Sequence, residues 1–322
     1  MQEIHLKQQI PEHMAGERFD QVAAQLFSDY SRARLQSWIK SGELTINGET
    51  QKAKVKVMGG EWLEVSATLE GSDRWEAQDI ALDVVYEDDE ILVINKPAGL
   101  VVHPAAGHAD GTLLNALLYH APQLETVPRA GIVHRLDKDT TGLMVVAKTL
   151  LAHADLVDQL QTREMGREYE AVVQGVMTGG GRVDEPIGRH PVHRKKMGVV
   201  SSGKEAATNY SVAERFRCHT HVRLKLETGR THQIRVHMTH INYPLIGDQL
   251  YGGRPRLPPA ATEELIAFLQ SFKRQALHAR RLQLVHPLTG EDMEWEVELP
   301  EDMQQLLALL REDSDLFADM KV

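Results

Sequence analysis

His134-Arg135-Leu136-Asp137-Lys138-Asp139-Thr140-Thr141-Gly142 places two carboxylates, two permanent cations, an imidazole and two hydroxyls in nine residues. Apolar runs flank it, Ala130-Gly131-Ile132-Val133 before and Leu143-Met144-Val145-Val146-Ala147 after. Short β-branched runs bounded by glycine read as buried strands, so the polar loop belongs at the rim of a sheet, where a rigid scaffold presents side chains. Asp137 is the candidate nucleophile. A carboxylate serves that role when it stays ionised yet partly shielded from water, which a nearby guanidinium provides. Asp139 is the competing carboxylate, with capping of the turn into Thr140 as its structural reading.

A second dense box is Glu227-Thr228-Gly229-Arg230-Thr231-His232-Gln233-Ile234-Arg235-Val236-His237. A helix from Thr231 to Met238 puts Thr231 and His232 on the face of Arg235, and Gln233 with His237. The functional reading makes Arg235 the buried partner of Asp137, with His232 and Gln233 in its polar network. The rival reading is a metal held by His232, His237 and His240 with His219 or His221. Those spacings match neither the two-His helical zinc motif nor a cysteine-bearing site, so no metal is expected. Tyr169, in Arg167-Glu168-Tyr169-Glu170-Ala171, reads either as a packed strand residue or as a platform on which a base stacks.

The formal charge of −10 argues by itself against a nucleic-acid partner, but its distribution does not. Residues 66–90 carry nine acids and one base, and residues 291–322 eleven acids and two bases. Residues 180–240 instead hold twelve bases, five acids and seven histidines. The loop Arg189–Met197, with Arg194, Lys195 and Lys196, is the basic cluster suited to phosphate. Arg32, Arg34 and Lys40 make a second basic stripe. A single cysteine, Cys218, excludes an internal disulfide and a thiolate cluster. No apolar run reaches membrane-spanning length and the first residues lack a secretory pattern, so a cytoplasmic protein is expected. Phosphate-cradling glycine loops and a Gly-x-Ser-x-Gly elbow are absent from the sequence.

These boxes need a sheet to hold them. Residues 16–75 read as a small α+β module with its linker: a helix over 17–27, a second capped by Ser31 and stopped by Gly42, a tight turn at Asn47-Gly48, and a hairpin joining Val55/Val57 to Leu63/Val65 around Gly59-Gly60. Residues 76–300 form the larger strand-rich domain. Its expected strands include 91–96, 167–173 and 222–226, its helices 113–119 and 150–161, and a late hairpin pairs 282–284 with 295–297. Residues 301–322 read as an acidic helical C-terminal tail.

Together the boxes resemble one family, the A/D type of RNA pseudouridine synthases that modify large-subunit ribosomal RNA. The matching residues are Asn95–Pro104, Gly131–Asp137, Arg167-Glu168-Tyr169, Gly229–His237 and Gln275–Ala279. They follow the family's order across residues 80–300, and residues 16–65 resemble the S4-type RNA-binding module that often precedes this domain. The module, the length and the acidic tail most resemble the D subgroup, which acts on the helix 69 stem-loop of 23S rRNA. The resemblance implies an α+β fold with a mainly antiparallel mixed sheet and a monomer acting on 23S rRNA without membrane or cofactor. The reaction it implies detaches uracil from ribose, rotates it and rejoins it through carbon. Asp137 would be nucleophile or base, Arg235 its ion-pair partner, and Tyr169 the stacking residue. Arg135 would fill the place of the flipped base, with His134, Arg230, His232 and Gln233 among the RNA contacts.

Overall fold

The computed structural model describes residues 2–27, 30, 32–69, 75–104, 109–193 and 195–318, so Ser31, residues 70–74 of the expected linker and Arg194 lie outside it. The chain divides into two compact units, residues 1–76 and 77–322. The first contains β1 (Gln2–Gln9), α1 (Phe19–Leu26), α2 (Arg32–Ser41), β2 (Leu44–Ile46) and β3 (Trp62–Leu69), with sheet order β1-β3-β2. Phe19 and Val22 of α1 and Leu35, Trp38 and Ile39 of α2 pack on Leu63 and Val65 of β3, the apolar faces that helical spacing marks. At Asn47-Gly48 both residues take positive φ, and Ile46 and Glu49 exchange backbone hydrogen bonds of 3.0 and 2.9 Å. The second expected hairpin does not form. Val57 instead donates to Glu17 O and accepts from Gly16, bracing the entry to α1, and β3 pairs with β1, a strand that lies before the expected start at residue 16.

The second unit runs β4 (Val84–Glu87), β5 (Ile91–Lys96), α3 (Leu113–His120), β6 (Thr141–Ala147), α4 (Leu150–Thr162), β7 (Gly166–Gln174), β8 (Gly181–Asp184), β9 (Ile187–Arg189), β10 (Met197–Val199), β11 (Ala207–Arg215), β12 (His219–Leu226), α5 (Gln233–His240), α6 (Glu263–Ser271), β13 (Leu277–Val285), β14 (Asp292–Glu296) and α7 (Glu301–Leu316). A nine-stranded sheet follows the order β4-β5-β6-β13-β7-β12-β11-β8, with β14 also paired to β13. Only the short β6–β13 pairing is parallel, so the fold is α+β with a mainly antiparallel mixed sheet. β6 is buried at every position: Met144 and Val146 join the core that contains α3, while Leu143 and Val145 face Ala152 and Leu156 of α4. Burial on both faces explains its unbroken apolar run.

One expectation changes here. Residues 130–133 form no strand. Arg129, Ala130 and Gly131 all have positive φ (55°, 51° and 77°), which no strand tolerates, and Ile132 makes a single bridge to Val146. The segment from 301 is helical: α7 buries Met303, Leu306, Leu307 and Leu310 against α6 and Val172 of β7.

Candidate active site

The two dense boxes meet. Asp137 ends the loop ahead of β6, where Thr140 N–H donates to the Asp137 carbonyl at 3.1 Å and closes the turn. Gly142 completes the approach: its φ is 113°, and a Cβ there would lie 2.2 Å from the Ala279 carbonyl of β13. From below, the wholly buried Lys96 donates to the carbonyls of Pro97 (2.7 Å), Leu100 (2.9 Å) and Lys138 (2.9 Å). Burial lowers the Lys96 pKa to about 8, opposed by Asp139 and Asp137. Arg274 ties the Asp139 carbonyl to Asp302 in the first turn of α7. The backbone of Asp139, and not its side chain, thus carries the structural role.

Arg235, on α5, donates from Nη1 to Asp137 Oδ2 at 2.8 Å. Its other edge forms a fork with Asp248, Nε to Oδ2 at 2.6 Å and Nη2 to Oδ1 at 2.9 Å. Burial works against the guanidinium charge, but Asp248 and Asp137 more than offset it and raise the Arg235 pKa. Asp248 is wholly buried; burial opposes its ionisation, yet Arg235 and the backbone N–H groups of Tyr251 and Leu250 hold its pKa below the usual carboxylate range. One arginine therefore spans an inner carboxylate that fixes it and an outer one, 17% exposed, that faces the cleft. Sequence reading did not pick out Asp248. The available signal was Asp248-x-Leu250-Tyr251, an aspartate accepting from N–H groups two and three residues on.

A cleft of about 590 Å³ opens over this pair, with Tyr169, Arg167, Arg135, His103 and Leu277 in its walls. Tyr169 is 6% exposed, and burial raises its phenol pKa, so it is neutral near pH 7. His232 sits at the helix entrance in a left-handed conformation, Nδ1 2.8 Å from the Tyr251 hydroxyl and Nε2 3.8 Å from Asp137 Oδ1. Lys196 lies 5.8 Å over the Tyr251 ring, so the loop between β9 and β10 reaches the site. Arg135 is exposed with no hydrogen bond or ion pair among the described residues. Arg230 lines the cleft and donates to the Glu205 carbonyl at 2.8 Å. Lys195 is exposed on its loop, and Lys40 is exposed in the last turn of α2; Arg34, on the same helix, is partly buried, and of Arg32 only the helical backbone is described.

Two expected RNA contacts, Gln233 and His134, line the cleft and are also engaged within the protein. Gln233 is buried and fully bonded: Oε1 accepts from Thr228 Oγ1 and Arg230 N, and Nε2 donates to Ala207 O and Thr208 Oγ1. It belongs to a polar network, as expected, but as the brace of the Thr228–Arg230 turn. Nε2 of His134 accepts from Val145 N–H at 3.0 Å, and burial lowers its pKa to about 3, so the ring is a neutral structural acceptor. His237 is likewise spent, on Thr208 Oγ1 and the Glu185 carbonyl, and His221 on Glu170. Among the described residues no group of three or more His, Cys, Asp or Glu is placed to hold a metal ion.

A carboxylate held by a buried guanidinium, beside a buried tyrosine in an open cleft, suits chemistry on one base extruded from an RNA strand. Residues 90–240 match the RNA pseudouridylate synthase family. A relative from Pseudomonas aeruginosa is 62% identical over 309 residues, covering 96% of this chain and 97% of its own. The chain therefore belongs to that family and is a pseudouridine-forming isomerase. The Pseudomonas relative is named ribosomal large subunit pseudouridine synthase D; a Vibrio cholerae protein of the same name is 56% identical over 315 residues, 98% of this chain and 97% of that one. The solved structure of human RNA pseudouridylate synthase domain containing 4 superposes with a TM-score of 0.55 at 29% identity, covering 71% of this chain and 92% of its own.

Proposed function

We propose that this chain converts uridines to pseudouridine in the helix 69 stem-loop of 23S rRNA, as a cytoplasmic monomer. The observation that carries the chemistry is the Asp137–Arg235–Asp248 array in the cleft that Tyr169 also lines. The names of the relatives support large-subunit ribosomal RNA as the substrate. Uridine and pseudouridine are isomers, so no atom or electron has to be supplied by a cofactor. Asp137 acts on the ribose or base of a flipped uridine, Tyr169 stacks on the uracil, and Arg135 fills the vacated place in the stack. Extrusion costs a few kcal/mol. Arg230, Lys195, Lys196 and His232 line the path of the phosphates, and the first unit, through Arg34 and Lys40, holds neighbouring rRNA. The test is to add the full chain to unmodified 23S rRNA transcripts and map pseudouridine. New pseudouridine confined to helix 69 is the expected result; modification elsewhere, or none, rejects the assignment.

A further inference from the structure

Arg167 is an unneutralised cation in the wall of the cleft. It is 7% exposed, its Nε is buried without a hydrogen-bond partner, and it has no ion pair among the described residues. The two acids beside it in sequence do not help. Along β7 side chains alternate, so Arg167 and Tyr169 share the cleft face while Glu168 and Glu170 point away. There Glu168 lies 3.7 Å from Arg281, and Glu170 pairs with Arg280 and, at 2.9 Å, with His221. Gly229 shows that room is kept for this guanidinium: a Cβ on it would lie 2.7 Å from Arg167 Nη1. A buried charge with no counter-ion is costly, and such a group is retained where an anion arrives to meet it.

The proposed reaction supplies such an anion in the right place, beside the tyrosine that stacks on the base. We propose that Arg167 is a catalytic residue that hydrogen-bonds the uracil carbonyl oxygens and stabilises the base while it is detached. The inference rests on the pseudouridine synthase reading of this site. When the C1′–N1 bond breaks, its electron pair leaves on the base, and the uracil carries one negative charge shared by N1 and its carbonyl oxygens. C5 then bonds to C1′, the C5 hydrogen leaves as a proton, and N1 takes a proton up. A preorganised donor acts on the charge that develops in this sequence more than on the neutral ground state. A phosphate contact is the competing role, and it has a different signature, because each phosphate contact contributes to the salt dependence of binding.

The test uses the full chain with a helix 69 stem-loop labelled with tritium at uridine C5, followed under single-turnover conditions. For Arg167→Met the expected result is a saturating rate reduced about 10²–10³-fold. RNA affinity and its salt slope should match wild type, and Arg167→Lys should recover at least part of the rate. Gly229→Ala, which keeps the charge but crowds the guanidinium, should slow the same step, and it serves should the Arg167 variants fail to fold. An unchanged saturating rate in Arg167→Met or Gly229→Ala overturns the proposal. Weaker binding with a shallower salt slope and an intact saturating rate assigns Arg167 to a phosphate instead. Absence of tritium release with wild-type protein would strike at the functional reading itself, separately from the role of Arg167.

Discussion

Asp248→Asn separates what holds the site together from what reacts in it. Asp248 accepts four hydrogen bonds in a wholly buried position, two from Arg235 and two from the backbone N–H groups of Leu250 and Tyr251. Asparagine keeps one oxygen, which can serve the Oδ1 partners, but its amide NH₂ would then face Arg235 Nε–H donor to donor. One hydrogen bond to a charged group is lost, worth about 1.5–3 kcal/mol. Breaking a buried pair by removing one charge costs about 3–5 kcal/mol. Arg235 retains Asp137 as a counter-ion, so the lower end applies and about 3 kcal/mol of stability is expected to go. The surviving pair then changes in kind, because Arg235 leans wholly on Asp137 and a carboxylate so engaged is a weaker nucleophile or base. Urea unfolding of the variant should show the lost stability, and turnover of a stem-loop RNA should fall by at least about tenfold, some 1.4 kcal/mol at the barrier. A variant within 0.5 kcal/mol of wild type, roughly the spread of neutral surface changes, and with full turnover would refute the claim that Asp248 fixes Arg235.

Other outcomes follow from neighbouring groups. Arg235→Ala leaves two carboxylates without their shared cation and should cost about 3–5 kcal/mol along with turnover; unchanged turnover would remove the ion pair from the account. Lys96→Met strips three carbonyls of a buried donor, including that of Lys138 in the catalytic loop, and should lower turnover more than RNA affinity. Equal effects on both would argue against a loop-positioning role. His219 and His278, each 1% exposed, have pKa values lowered by burial to about 4 from the usual 6.5. The unfolded chain therefore binds their protons first as pH falls, and the stability they allow is complete above pH 6.5 and lost progressively toward pH 4. At pH 5 that loss is about 2 kcal/mol for each. A urea midpoint that stays level between pH 7 and pH 5 would contradict it.

The Asp137–Arg235 pairing was legible because the chemistry of each loop calls for what the other holds: a carboxylate needing a cation, and an arginine on a helix with no acid at helical spacing. Tyr169 was legible as an aromatic on a strand between charges. The direction in which polar residues face was not. Gln233 and His134 sit in polar stretches that read as surface, yet each bonds inward to backbone, because turns built from such stretches require buried partners. Arg129 and Ala130 form a left-handed turn at the start of an apolar run, and nothing about either residue type signals positive φ. Asp248 lies outside both boxes, and its link to Arg235 comes from tertiary packing that local patterns do not encode.

The most direct measurement of the central claim compares Asp137→Asn with wild type for pseudouridine formation and RNA binding in the same preparation. Asp137 is partly exposed and bonded to Arg235 by one oxygen, so its amide should fold normally. The account expects no detectable pseudouridine from the variant while it binds the stem-loop with wild-type affinity. Pseudouridine formed at the wild-type rate, or a defect confined to binding, would contradict it.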